Sequence, residues 1–320
     1  MKYYLLAALV ISIVISSLIP KSYSQSSPEQ SKGHITISGA WALYPMAVKW
    51  AEEFQKIYPG IKVDISAGGA GKGITDALSG SVDLGMVSRD INSEELQKGI
   101  WTVSVAKDAV VATINAQNPV IKDILAKGIT KAMFQKIFIS GDVKAWGQLV
   151  KNANADAVHV YTRSDACGAA ETWAKYLGAK QEDLTGIGVY GDPGVAEAVK
   201  NDKLAIGFNN INFAYDAKTK APVAGIMVVP IDINGDGAID KNENVYQDLN
   251  AMTKAISQGK YPSPPARELY LVSKGAPQSK EVRAFLHWIL TDGQQFVPET
   301  GFINVSPERI NEDLGKLKAQ

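Results

Sequence analysis

Two stretches of this 320-residue chain carry glycine, small residues and charge in an order suited to holding a small anion. The first is Ser38-Gly39-Ala40-Trp41-Ala42-Leu43 and the second is Arg163-Ser164-Asp165-Ala166-Cys167-Gly168-Ala169. Each follows a β-like run and leads into an amphipathic, helix-like stretch. A turn that opens a helix exposes unpaired N–H groups at the positive end of the dipole. Two such turns can close on one oxyanion from opposite sides. Arg163 adds a fixed positive charge. Ser88 and Arg89, after the run Val82–Val87, add a hydroxyl and a second guanidinium. Asp165, with Asp90 and Asp83 as alternatives, is the acceptor that a protonated oxyanion needs. The bland reading of each arginine is an ion pair, and for Arg89 one between lobes.

A second constellation is Asp232-Ile-Asn234-Gly-Asp236-Gly-Ala238-Ile239-Asp240-Lys-Asn-Glu243. Its oxygen donors stand at loop positions 1, 3, 5, 9 and 12, with glycine at 6. A hard cation takes this set: short carboxylates, the Ala238 carbonyl and a bidentate Glu243. The run before Asp232 is strand-like, so the loop lacks a preceding helix. It is expected to be a structural calcium clip, with no organic cofactor.

These residues need elements to position them. From Ile35 the pattern is strand, turn, helix, strand, with apolar residues near a 3.6 spacing from Tyr44 to Tyr58 and an end at Pro59-Gly60. The glycine-rich stretch Ser66–Gly73 reads as a turn before a short helix, Ile74–Leu78. The βαβ rhythm implies a mostly parallel sheet with its loops at one edge. Val103–Ile114, interrupted by Lys107-Asp108, suits a crossing between lobes, and Glu268–Val272 suits the return. That assigns residues 34–108 and 265–320 to lobe 1 and 109–264 to lobe 2, around a cleft that closes.

Lys plus Arg and Asp plus Glu are both 33, so no global field draws nucleic acid. Lys2 and the apolar run from Tyr3 to Leu18, then Ser22-Tyr23-Ser24, read as a signal peptide over 1–24, followed by a linker over 25–33. Cys167 is the only cysteine, so no lipid-anchor cysteine lies near the export signal and no intrachain disulfide forms. No histidine is spaced to activate Cys167 as a nucleophile. The Gly68–Gly73 stretch lacks the Gly-Lys-Ser/Thr ending of a nucleotide site. An enzyme is not expected.

The ordered set of marks resembles the phosphate-binding protein family of ABC importers. They are Ser38-Gly39 with Tyr44-Pro45, Tyr58-Pro59-Gly60, Gly68–Ile74, Val82–Gly85 with Ser88-Arg89, Arg163–Thr172, and Arg267–Val272. The resemblance implies an α/β, type II periplasmic binding protein fold, with two lobes of mixed sheet. It implies a monomer in the periplasm that binds inorganic phosphate or a similar oxyanion and delivers it to a permease. It places the ligand among Gly39, Ala40, Trp41, Ala42, Leu43, Ser88, Arg89, Arg163, Asp165, Cys167, Gly168 and Ala169. Relatives usually carry hydroxyl residues where this chain has Ala40, Ala42, Cys167 and Ala169. The alternatives are another oxyanion (sulfate, molybdate or tungstate), a secreted adhesion protein, or a phosphatase.

Overall fold

The structure, a computed structural model, describes residues 32–150 and 156–318. The expected signal peptide and nearly all of the linker lie outside the described residues. Among the described residues no helix is long and apolar enough to cross a membrane.

The first elements are β1 (Gly33–Gly39), α1 (Tyr44–Ile57), β2 (Ile61–Ala67), α2 (Ala70–Ser79), β3 (Leu84–Val87) and α3 (Ser93–Gln97). α1 carries Pro45 in its first turn, where proline fits, and buries Met46, Ala47, Trp50, Ala51 and Phe54 on one face. It ends at Tyr58, because Pro59 disfavours helical geometry in the residue before it. α2 begins four residues earlier than the sequence pattern implied, so Gly71 and Gly73 lie inside it. Close packing explains this: a Cβ on Gly73 would stand 2.4 Å from the Met86 carbonyl oxygen and 3.1 Å from Gly39 Cα.

β4 (Ile100–Asn115) is an unbroken strand of 16 residues, and the Lys107-Asp108 pair does not interrupt it. Lys107 lines up with Glu268 on the return strand, and the buried Asp108 lines up with Arg267. Then come α4 (Ile121–Lys127), β5 (Ile129–Thr130), α5 (Lys131–Phe138), β6 (His159–Arg163), α6 (Gly168–Tyr176), β7 (Ile187–Val189), α7 (Gly191–Asn201), β8 (Ala205–Asn210) and α8 (Ile211–Ala214). The chain continues through β9 (Ile226–Val228), β10 (Ile231–Asp232), α9 (Leu249–Ser257) and the return strand β11 (Ala266–Lys274). It closes with α10 (Lys280–Leu290), α11 (Phe296–Glu299) and α12 (Pro307–Lys318).

The main sheet runs β2-β1-β3-β11-β4-β8-β6-β7, with β9 also on β4, and β5 pairs with β10 apart from it. β1 is parallel to β2 and β3, and β6 is parallel to β7 and β8, whereas β11 and β4 run antiparallel to their neighbours. Two hydrophobic cores meet along β4. One holds Val103, Val105 and Ala106 with Trp50, Phe54 and Phe285; the other begins at Ala109 and holds Phe134, Phe138, Trp173 and Phe208. Thus β4 and β11 pass from one lobe to the other. β11 carries a register shift between Leu269 and Tyr270, next to that passage.

Candidate functional site

β1 ends at Gly39, whose φ of +132° is open to glycine alone at low cost. A Cβ there would stand 2.4 Å from the Met86 carbonyl oxygen, so β1, α2 and β3 meet with no side chain between them. Ala40 N–H donates to the Met86 carbonyl at 2.9 Å. Ala42 and Leu43 side chains are buried in the lobe 1 core, and Leu43 N–H donates to the Ala40 carbonyl at 3.2 Å. Ala40 and Leu43 therefore drop out as anion donors. The backbone N–H groups of Trp41 and Ala42 remain unclaimed among the described residues.

The second turn is built the same way. Cys167 caps α6, its Sγ accepting from Ala170 N–H at 3.4 Å, while its own N–H donates to Gln181 Oε1 at 3.1 Å. Burial pushes the thiol up to about 12, so it stays protonated and inert at neutral pH. The Cys167 N–H and one acceptor site of its sulfur are thus taken, while the protonated thiol keeps its own S–H as a weak donor. Among the described residues the N–H groups of Gly168 and Ala169, the first residues of α6, have no partner.

Each turn touches the opposite lobe. A Cβ on Gly168 would stand 2.2 Å from the Ser88 carbonyl oxygen and 2.3 Å from its Oγ. Ser88 lies two residues beyond Met86, which holds the first turn. Gly71 N–H reaches the Ala166 carbonyl at 3.4 Å. Trp41 rests on Gly191, and its ring meets Tyr190 edge-on at 6.2 Å. The lobes are closed on one another along this line.

Both arginines make ion pairs, the alternative reading of each, and that of Arg163 is buried where a surface pair was the alternative. Arg163, with its side chain 1% exposed, spends three of its N–H groups on carboxylates. Nε and one terminal nitrogen donate to Asp165 at 2.8 and 2.6 Å, and the other donates to Asp192 at 2.6 Å. Burial pulls its pKa down, but Asp192 and Asp165 more than offset this, so the guanidinium stays charged. Two carboxylates to one arginine leave this wall negative. Asp165 is also engaged by Gly191 N–H at 3.2 Å. Asp192, 29 residues from Arg163, carries no local signal in the sequence beyond following Gly191 at a helix start.

Arg89 is a bridge rather than a free cation. It forks onto Glu95 at 2.9 and 2.6 Å, donates to the Asp90 carbonyl, and reaches Glu171 of the other lobe at 2.9 Å. Burial pushes the Glu171 carboxyl above its ordinary value. Burial acts the same way on Glu95, but the Arg89 fork and the Asn92 N–H hold it below the usual carboxylate range. A second bridge is Arg267 on β11, to which the sequence reading gave no role. It grips the fully buried Asp108 at 2.9 Å and donates to the Gly168 carbonyl at 2.5 Å, to Thr172 Oγ1 at 2.9 Å and to Asn210. The crossing strand thereby holds the first turn of α6. A cavity of about 490 Å³ beside it is lined by Arg89, Glu171, Lys175 and Arg267 among others.

In the Asp232–Glu243 loop, the side chains turn toward backbone N–H groups. Asp232 accepts from Gly235 and Gly237, and Glu243 Oε1 accepts from Ile233 and Asn234. Among the described residues, no three acidic, histidine or cysteine side chains converge as a ready-made metal cluster. Asp232 and Glu243 are 4% and 6% exposed, yet none of the loop carboxylates has a lysine, arginine or histidine within 4 Å among the described residues.

Comparison with known proteins places this geometry. The chain is 26% identical over 294 residues to the phosphate-binding protein PstS of Bacillus subtilis (strain 168), covering 91% of this chain and 87% of the relative. It is 28% identical over 306 residues to Protein SphX of Synechococcus elongatus, covering 92% and 83%. In fold it is similar to a Clostridium perfringens chain assigned as a phosphate ABC transporter substrate-binding protein and solved with bound phosphate. That likeness has a TM-score of 0.70 and 24% identity, covering 85% of this chain and all of the other. A DING protein gives a TM-score of 0.66 at 14% identity, covering 88% and 93%. A family model described as a PBP superfamily domain matches residues 24–293, and with this match over two cores joined by two crossing strands, the chain belongs to the PBP superfamily.

Proposed function

We propose that this chain is a non-enzymatic, extracytoplasmic binding protein that captures inorganic phosphate between its lobes and hands it to the permease of an ABC importer. One observation carries the reading. Two helix N-termini border the interlobe contact from opposite lobes, each with two N–H groups unclaimed among the described residues, in a chain similar over 91% of its length to a protein named for phosphate binding. The surplus negative charge around Arg163 supports phosphate over sulfate. A ligand that brings its own proton meets a carboxylate as a donor, whereas a fully ionised one meets it as a like charge. Calorimetric titration with phosphate and with sulfate at two pH values tests this. Heat with phosphate and none with sulfate is expected; the reverse overturns it. Cleavage after Ser24 and a monomeric state belong to the same proposal, checked by N-terminal sequencing and light scattering of the exported protein.

We also propose that the 232–243 loop takes calcium. The residues fit: the donor types and spacing suit a hard cation, and Asp232 and Glu243 are nearly buried with no lysine, arginine or histidine beside them among the described residues. Asp232, Asn234, Asp236, the Ala238 carbonyl, Asp240 and Glu243 would hold it. The clip would fasten β10 and, through the Ile239 N–H bond to the Ala126 carbonyl at 2.9 Å, the end of α4. Calcium is expected to raise the melting temperature of the wild type and not that of Glu243→Gln; equal melting with calcium and with EGTA overturns it.

A further inference from the structure

Lobe 1 has lost the hydroxyls at Ala40 and Ala42 that the family resemblance leads one to expect, and Trp41 stands between them. Its indole Nε1 is buried and makes no hydrogen bond with the protein. A buried donor left unpaired is costly, so each such group needs an account. Two other buried indoles in that position, Trp173 and Trp288, sit inside the core of a single lobe. Trp41 lies at the lobe boundary. The ring edge bearing Nε1, with Cε2 and Cζ2, abuts Gly191, where a Cβ would stand 3.3–3.4 Å from these atoms. Gly191 N–H in turn donates to Asp165, next to Arg163 and Asp192. Tyr44 and Tyr190 fix the ring, with centroids at 6.3 and 6.2 Å. The N–H edge therefore lies on Gly191 of lobe 2, whose own N–H is bound to Asp165, one of the two carboxylates on Arg163.

We propose that the Trp41 indole N–H is a side-chain donor to the bound oxyanion, replacing the hydroxyl that this turn lacks. An indole can only donate, so it selects an oxygen without a proton. The carboxylates of the opposite wall select an oxygen that carries one. Together the walls define a tetrahedral oxyanion bearing a single proton, bound in one orientation. Trp41 thus sets specificity as well as affinity.

The inference rests on the anion-binding reading, and its test separates the two. Trp41→Phe keeps the ring and deletes the donor. Titration of wild type and Trp41→Phe with inorganic phosphate and with sulfate is run beside ¹H–¹⁵N spectra of the indole groups. The chain has six tryptophans, and the spectrum of the variant identifies the Trp41 resonance. Phosphate is expected to shift that resonance downfield in the wild type and to bind the variant about 10- to 100-fold more weakly. Binding of the variant within about twofold of wild type, or an unmoved Trp41 resonance at saturation, overturns the inference and leaves phosphate capture standing. If wild type binds sulfate alone, the phosphate reading fails and Trp41 is judged by the same shift and loss with sulfate. If neither anion binds, both readings fall. The wild-type resonance decides the matter even if the variant folds poorly.

Discussion

Gly168→Ala should hold the lobes apart while leaving each lobe sound. Gly168 begins α6, and its φ lies outside the positive range that favours glycine, so alanine suits its backbone. Alanine also favours helix by up to about 1 kcal/mol over glycine in a helix interior. The obstacle is across the cleft. The new Cβ would stand 2.2 Å from the Ser88 carbonyl oxygen, 2.3 Å from Oγ and 2.6 Å from the carbonyl carbon. Ordinary contact needs about 3.5 Å, so the two walls must part by about 1 Å at this point. The Ser88 side chain could rotate away, but its carbonyl, which follows β3, cannot.

Overpacking of a close contact costs about 1–3 kcal/mol. If that cost falls on the closed state alone, the competent fraction drops and the apparent affinity for phosphate falls by about 5- to 150-fold. Calorimetry reads the affinity, and small-angle scattering reads the phosphate-induced compaction, which should shrink or vanish. The melting temperature of the anion-free protein should not fall. Gly71→Ala is the graded control, because its Cβ would stand 3.3 Å from Ala166 Cβ and carbonyl oxygen, a contact that a small shift relieves. Wild-type affinity and compaction in Gly168→Ala would refute the closure geometry. So would a larger loss in Gly71→Ala.

Other consequences are simpler to state. Cys167→Ser should change the pH dependence of stability. Because the folded thiol is raised to about 12 from an ordinary 9, the unfolded state loses its proton first as pH rises. Wild-type stability should therefore fall between about pH 9 and 12, by up to about 1.4 kcal/mol per unit, and the serine variant should lack that component in denaturant titrations. Arg267→Met should destabilise by about 3–5 kcal/mol, since it leaves the fully buried Asp108 carboxylate unpaired; adding Asp108→Asn should recover part of the loss. Asp313→Ala should cost about 1–3 kcal/mol by stranding Ser104 N–H, which donates to Asp313 at 2.8 Å. Hydrogen exchange at Ser104 should speed up as α12 loosens from β4.

The two helix-opening turns were legible because their signals are local: a strand, a glycine and small residue, then a 3.6 period. The crossing by β4 was legible too, since a strand buried on both faces reads as a long apolar run. What failed to show was the length of α2. Two glycines masked its first turn, and they face parts of the chain distant in sequence: Met86 and Gly39 approach Gly73, and Ala166 approaches Gly71. Arg163 was visible as a charge beside a turn, but its second partner, Asp192, arrives from another helix start. Arg267 was visible only as part of a family mark, because its contacts with Asp108, Gly168 and Thr172 span 95 or more positions. Local pattern finds the donors; only the folded contacts say which donors are already taken.

That distinction alters the electrostatics of capture. With Arg163 held by two carboxylates and Arg89 by two more, no uncommitted guanidinium is left to hold an anion by charge alone. Apart from the two N–H groups of Arg163 that its carboxylates do not take, the remaining donors are neutral: the Ser88 hydroxyl, the N–H groups of Trp41 and Ala42 and the Trp41 indole on one lobe, and Gly168, Ala169 and the Cys167 thiol on the other. Neutral donors hold an anion well only where water is excluded, because low dielectric strengthens each contact. Neither lobe alone has enough of them. On the proposed capture of phosphate, affinity must therefore collapse as the lobes part. The bridges from Arg89 to Glu171 and from Arg267 to the first turn of α6 then act on binding through closure, with no need to touch the ligand.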